Sequence, residues 1–282
     1  MPSHPPRQSP LVRLLELLSL ERLDADLYLA ETPQGEGRLF GGLVAAQAVM
    51  AASATVAQGD LHSLHAYFLR PGAHGVPIRF VVHRIRDGKT FTTRRVVAHQ
   101  AGEAILGLES SFTLPEAGIS HQDPAPAADD PSLLPDWEML RAQMLHQPEA
   151  MRPQPIEVRA CDPDDPDGKP QPAAKRVWLR PVGPVPDDRR IHEALLVYAS
   201  DRTLLSTASR PHGLPWGKRM VASLDHAMWL HRPARFDDWV LYASNSPVAH
   251  AARGLVFGAM YDQAGVRIAS VAQEGLVRIP KK

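Results

Sequence analysis

The spacing of apolar residues changes period along the chain, and each change marks an element. SPLVRLLELLSLERL (9–23) carries leucines three and four apart behind a Ser–Pro start, which predicts a short amphipathic helix. RLFGGLVAAQAVMAASATV (38–56) is a second helical run, small and apolar. LHSLHAYFLRP, VPIRFVVHRIRDG, KTFTTRRVVAHQAG and EAILGLESSFTL follow, rich in β-branched and aromatic residues. RDGK and QAGE mark tight connections, so four antiparallel strands are expected. Residues 115–175 are rich in Pro and Asp, with a helical piece near DWEMLRAQML, and read as a linker. The pattern then returns: a strand KRVWLRP, a helix RRIHEALLVYASDRTLLS and a loop PHGLPWGK. Four strand-like segments close the chain, RMVASLDHAMWLHRP, DDWVLYASNSPVA, ARGLVFGAMYDQAG and VRIASVAQEGLVRI.

Helix plus four strands thus occurs twice. QAGEAI (100–105) matches QAGVRI (263–268), and LRP (69–71) matches HRP (231–233), at offsets of 163 and 162 residues. A shared offset with a shared element order indicates duplication. One long helix and a run of antiparallel strands are best satisfied by a sheet wrapped around the helix, and two such sheets joined edge to edge leave fewer open edges. The expected fold is α+β, a double hotdog: two antiparallel-sheet-around-helix repeats joined into one continuous sheet. Its expected parts are a disordered N-terminus at 1–10, an N-terminal hotdog at 11–114, the linker at 115–175 and a C-terminal hotdog at 176–282.

Charge and composition then narrow the partners. Lys plus Arg equals Asp plus Glu at 31 each, which argues against broad attraction to nucleic acid or to an anionic membrane. The single cysteine, Cys161, excludes an intrachain disulfide, fits a reducing compartment and reads as a bystander thiol in a loop. No apolar run approaches the roughly 20 residues of a membrane span. MPSHPPRQSP lacks the apolar stretch of a secretory signal and RIPKK is not a peroxisomal tripeptide, so a soluble cytoplasmic protein is expected. There is no G-x-S-x-G elbow and no P-loop, and GEGRLFGG does not fit G-x-G-x-x-G. HEALL lacks the second histidine of a zinc site, because position 196 is Leu. No metal and no cofactor are expected.

What remains is polar residues where the pattern calls for apolar ones. Asp201 has Val197 and Tyr198 one turn before it and Leu204 and Leu205 one turn after, on the side the helix should bury. A buried charge without partners costs several kcal/mol, so Asp201 needs partners, whether Arg202, a cap or a functional group. Gln273 shares a strand face with Arg267, Ala269 and Val271 and interrupts its apolar run; the alternative is a strand end in solvent. Ser223 stands at the start of a strand, where a turn hydroxyl is the plainer reading.

YASD, SLDHAMWLHRP, AARG and AQEG, in this order, resemble the C-terminal half of the acyl-CoA thioesterase II family. LFGGLVAAQA, LHSLHAYFLRPG and RDGKTFTTRRV resemble its N-terminal half, and together they cover most of residues 11–282. The resemblance implies a double hotdog that hydrolyses acyl-CoA thioesters without a covalent intermediate. It implies a catalytic Asp at Asp201, Gln at Gln273 and hydroxyl at Ser223, where the family usually has Thr. Asp201 would accept a proton from water or orient it, and the Gln273 amide and Ser223 hydroxyl would fix the same water. Gly41 and Gly42, opening the first helix, are candidate backbone donors to the oxyanion, or simply points of close packing. Gln47 is either the first half's counterpart of Asp201 or an amide satisfied by backbone. His65 completes the substrate-binding candidates. His226 beside Asp225 reads as a holder of strand geometry or a pH sensor. TRR (93–95) reads as a solvated face or a contact to a CoA phosphate. The alternatives are a hotdog enoyl-CoA hydratase or dehydratase using Asp201 with His226, and a non-catalytic acyl-CoA-binding module. Hotdog habit and exposed sheet edges suggest a homo-oligomer, dimer or tetramer.

Overall fold

Two half-sheets meet edge to edge where β3 (Asp60–Phe68) lies antiparallel to β10 (Asp225–Leu230), with Leu64 opposite Met228 and Ala66 opposite His226. The computed structural model describes residues 8–147, 153–214, 219–233 and 235–279. The expected disorder at 1–10 lies largely outside them, and Pro10 already opens α1 (Pro10–Leu18).

The first repeat continues through β1 (Glu21–Asp24), β2 (Leu27–Ala30), α2 (Gly41–Ser53), β4 (Ile78–Asp87), β5 (Phe91–Gln100) and β6 (Glu103–Thr113). After α3 (Trp137–Met144) come β7 (Ile156–Ala160), β8 (Ala174–Pro181) and α4 (Arg189–Ser200). A 3-10 turn (Leu205–His212) and β9 (Met220–Ser223) follow; β11 (Val240–His250), β12 (Arg253–Tyr261) and β13 (Arg267–Arg278) complete the chain. Among the described residues these strands form one sheet in the order β1-β2-β4-β5-β6-β3-β10-β13-β12-β11-β8-β7, with β9 paired to β13. The order is symmetric about the β3–β10 seam, as a duplication requires.

The bulges are duplicated too. The β5–β6 register slips after Ala98, and the β12–β13 register slips after Met260, 162 positions later. In each repeat the sheet curls around a helix with no free face. From Gly42 to Ser53 only Met50 of α2 is partly open, and His192–Ser200 of α4 are all buried. The alanines of α2 (45, 46, 48, 51 and 52) let α4 lie against it while strands cover the rest.

Three expectations are corrected. The repeat is larger than helix plus four strands, since β1, β2 and β7 extend the sheet. β7 lies inside the 115–175 stretch expected as linker; it pairs with β8 and buries Ile156, Val158 and Ala160. The expected strand RMVASLDHAMWLHRP breaks at Leu224, whose N–H bonds Glu274 O and whose carbonyl accepts from Phe68 N, so β9 and β10 are separate.

Candidate active site

Asp201 does not sit within α4, as its pattern suggested, but caps the C-terminal end of that helix. A carboxylate at a helix C-terminus meets the negative end of the helix dipole. Here the N-terminus of α2 offsets it: Gly42 N donates to Asp201 Oδ2 at 2.8 Å. The sequence brings the two helix ends this close by placing glycines there. A Cβ on Gly42 would stand 2.7 Å from Tyr198 O on α4, and one on Gly41 would stand 3.1 Å from Asp201 Oδ2.

The sheet supplies the rest. On β13 the inward-facing residues are Ala269, Val271, Gln273 and Gly275, and Gln273 is fully buried among them. Its Nε2 donates to Asp201 Oδ1 at 2.8 Å and to Ser223 Oγ at 2.6 Å. Ser223, at the end of β9 and paired with Gly275, donates from Oγ to Asp201 Oδ1 at 3.1 Å. The three expected catalytic residues, from three elements, therefore form one hydrogen-bonded cluster.

Asp201 and Ser223 border a cavity of ≈ 980 Å³. Phe40, Gly41 and Val44 at the start of α2, Phe68–Gly72 at and beyond the end of β3, and Leu205 on the 3-10 turn wall it. Its charged lining is Arg38, Arg70, Arg141, Arg202 and Arg219 against the single carboxylate of Asp201. A smaller pocket of ≈ 490 Å³ beside Asp24, Arg79 and His99 contains none of these groups.

The other candidates fall elsewhere. Gly41 lines the cavity, but the Gly42 N–H, expected as an oxyanion donor, is taken by Asp201. Gln47 is buried off the cavity, where its Nε2 ties Leu17 O and Glu31 O at 2.8 and 2.9 Å; the end of α2 that matches Asp201 lies near Ser53, two turns on. His65 is exposed on the outer face of the sheet, because the inward positions of β3 are Leu64 and Ala66; its ring meets Trp229 edge-on with centroids 5.1 Å apart. Neither Gln47 nor His65 is placed to touch a substrate in this cavity. His226 is buried behind the site, with Nε2 2.9 Å from Ser200 Oγ. Burial pushes the Cys161 thiol up to about 11, which leaves little thiolate to react. Among the described residues no cluster of three His, Cys, Asp or Glu side chains could hold a metal.

The first repeat carries no second copy of this cluster. Arg94 pairs with Ser110 across β5 and β6 as Val256 pairs with Gln273 across β12 and β13. The Arg94 guanidinium fills the inside, buried to 1%, on Thr55 Oγ1 (2.8 Å), Thr55 O (3.2 Å) and Asp87. Of TRR, then, the middle residue points into the protein rather than to solvent or phosphate, while Arg95 pairs with Glu109 on the surface.

Two sheets curled around helices and fused through β3 and β10 make this a double-hotdog protein. A solved acyl-CoA thioesterase II from Mycobacterium marinum has the same fold, with a TM-score of 0.79 and 39% identity over 95% of this chain and 98% of that one. A family model described as acyl-CoA thioesterase matches residues 155–276, and one described as acyl-CoA thioesterase N-terminal domain matches residues 30–113. Acyl-coenzyme A thioesterase 8 of Mus musculus is 36% identical over 95% of this chain and 89% of its own length. Acyl-CoA thioesterase 2 of Haemophilus influenzae is 37% identical over 95% of this chain and 98% of its own. The chain belongs to the acyl-CoA thioesterase family.

Proposed function

We propose that this chain hydrolyses acyl-CoA thioesters to the free acid and CoA, using one water activated by Asp201 and held by Gln273 and Ser223, with no acyl-enzyme. The observation that carries the reading is the Asp201 carboxylate at the cavity wall, hydrogen-bonded to both the amide and the hydroxyl. A water entering this cluster accepts from the Gln273 amide or the Ser223 hydroxyl and donates to Asp201. Its oxygen attacks the thioester carbonyl carbon as its proton passes to the carboxylate. The tetrahedral oxyanion collapses, the C–S bond breaks, and the CoA thiolate takes up the proton from Asp201 or from solvent. The apolar lining suits the acyl chain, and Arg38, whose guanidinium meets the Val221 carbonyl rather than a carboxylate, suits a phosphate of CoA, while Arg70, Arg141, Arg202 and Arg219 are paired with Glu103, Glu138 and Asp164.

The hydratase reading asks for a histidine facing the substrate, and His226 is neither on the cavity wall nor free at Nε2. Free thiol released from an acyl-CoA by the wild type and abolished by Asp201→Ala supports the thioesterase. Water addition to an enoyl-CoA without thiol release would favour the hydratase, and a ligand-dependent thermal shift with neither activity would favour a binding module. We further infer a homo-oligomer, dimer or tetramer, because Tyr67, Trp229 and Phe257 leave apolar surface open on the sheet. A monomer mass by light scattering contradicts that. Among the described residues no helix is long and apolar enough to cross a membrane, and one cysteine per chain fits the cytoplasm as the working compartment. As units we retain 11–114 and 176–282, with β7 of the connector joined to the second.

A further inference from the structure

Two buried side-chain atoms beside the cluster lack a regular hydrogen bond, His226 Nδ1 and Gln273 Oε1. They belong to neighbours. The β10–β13 register, with Ala227 opposite Ala272, sets His226 across from Gln273, and both side chains point inward. We infer that His226 is a positioning residue: its Nδ1–H holds the carbonyl end of the Gln273 amide, so that both amide protons face Asp201 and Ser223. The inference rests on the thioesterase reading and deepens it.

A glutamine amide is nearly isosteric about its own axis, so packing alone does not choose between its two orientations. The reversed orientation would aim Oε1 at the Asp201 carboxylate and at Ser223 Oγ, and would leave the attacking water no amide donor. A proton on His226 Nδ1 removes that choice and satisfies both unpartnered atoms at once. The groups around the imidazole agree. Burial holds His226 below the ordinary histidine value, while Asp201, Asp225 and the Gln273 amide favour a proton on it. Burial thus favours the neutral ring, which has a single proton to place. With that proton on Nδ1, Nε2 accepts from the Ser200 hydroxyl at 2.9 Å, so the single hydroxyl proton goes to the ring rather than to Val197 O, which also lies 2.9 Å from Ser200 Oγ. Ser200 immediately precedes Asp201, and its carbonyl accepts from Tyr242 Oη at 3.0 Å. The imidazole therefore ties the end of α4, which sets the carboxylate, to the strand that sets the amide.

Three substitutions test this. The first repeat already accommodates Leu64 at the matching place on β3, so His226→Leu is compatible with the fold. An Asn amide N stands near the place of imidazole Nδ1, and a Gln amide N near that of Nε2. With acyl-CoA as substrate and thiol release as readout, His226→Leu is expected to lower kcat roughly 10–100-fold at unchanged KM. His226→Asn is expected to stay within about threefold of wild type, and His226→Gln to resemble His226→Leu. Wild-type kcat in His226→Leu overturns the inference, as does equal impairment of the Asn and Gln variants at equal folded fraction. The Asn–Gln pair decides the matter even where the Leu variant is unstable. An Asp201→Ala enzyme that is dead beside a His226→Leu enzyme that is fully active sinks this inference alone. A wild type that releases no thiol sinks the functional reading first.

Discussion

Gly42→Ala probes the contact between the α2 N-terminus and the carboxylate. The added Cβ would lie 2.6 Å from Phe40 Cε1 and 2.7 Å from Tyr198 O, against 3.4 Å for ordinary contact. Phe40 packs edge-on against Tyr198, with centroids 5.0 Å apart, and Tyr198 O is α4 backbone, so neither neighbour swings away freely. Relief requires α2 and α4 to separate by about 0.7 Å, the gap between 2.7 and 3.4 Å. The same movement stretches the 2.8 Å bond from Gly42 N to Asp201 beyond hydrogen-bond range. Overpacking costs about 1–3 kcal/mol, and a hydrogen bond to a charged group is worth about 1.5–3 kcal/mol. Together these amount to a loss of roughly 2.5–6 kcal/mol, which for a chain of this length corresponds to a Tm lower by roughly 4–10 °C. A carboxylate displaced by a fraction of an ångström should cost about 10–100-fold in kcat. Thiol release under saturating acyl-CoA, run well below the variant's Tm, measures the second effect, and calorimetry the first. A lowered Tm with wild-type kcat would refute the claim that this helix end sets the carboxylate for turnover.

Ser223→Thr keeps the hydroxyl that bridges Asp201 and Gln273, so its kcat should stay within about threefold of wild type by the same assay; near-total loss would show that the serine is specifically required. Glu193 on α4 is 4% exposed, and burial pushes its carboxyl up to about 7, although Arg189 opposes the shift. An acid whose folded pKa lies above its unfolded value of 4.5 stabilises the fold fully at low pH and loses that contribution as pH rises toward 7. Glu193→Gln should therefore gain on wild type between pH 5 and pH 8 by at most about 3 kcal/mol, seen as a Tm difference that grows with pH; a pH-independent difference contradicts it.

Much of this arrangement was legible in period and order. The duplication announced itself in QAGEAI and QAGVRI, which turn out to flank matching β-bulges. Gln273 was legible because strand alternation has period two, so an amide in phase with Ala269 and Val271 points where they point. Asp201 was legible as inward-facing but not as a cap, since nothing in YASDRTLL stops a helix as a glycine or proline would. The Gly42 contact was illegible: it joins a backbone amide to a side chain 159 residues away, and backbone groups leave no mark in composition. β1, β2 and β7 were missed because strands of four or five residues show barely two periods of alternation. Arg94 misled by its charge; it is in phase with the buried Val96 and Ala98, and Thr55, Asp87 and the carbonyls of Arg86 and Thr93 make its burial tolerable. His65 misled because the alternation of LHSLHAY does not say which of its two faces is inside.

The most direct test is the turnover of Asp201→Asn on an acyl-CoA. The substitution keeps shape and removes the proton acceptor; an amide in place of a carboxylate also turns an NH₂ toward either Gly42 N–H or the Gln273–Ser223 pair, all of them donors to the native side chain. Loss of a general base predicts a kcat lower by roughly 100-fold or more, about 2.7 kcal/mol on the barrier, with KM little changed. A folded Asp201→Asn enzyme that releases thiol at the wild-type rate would contradict the account.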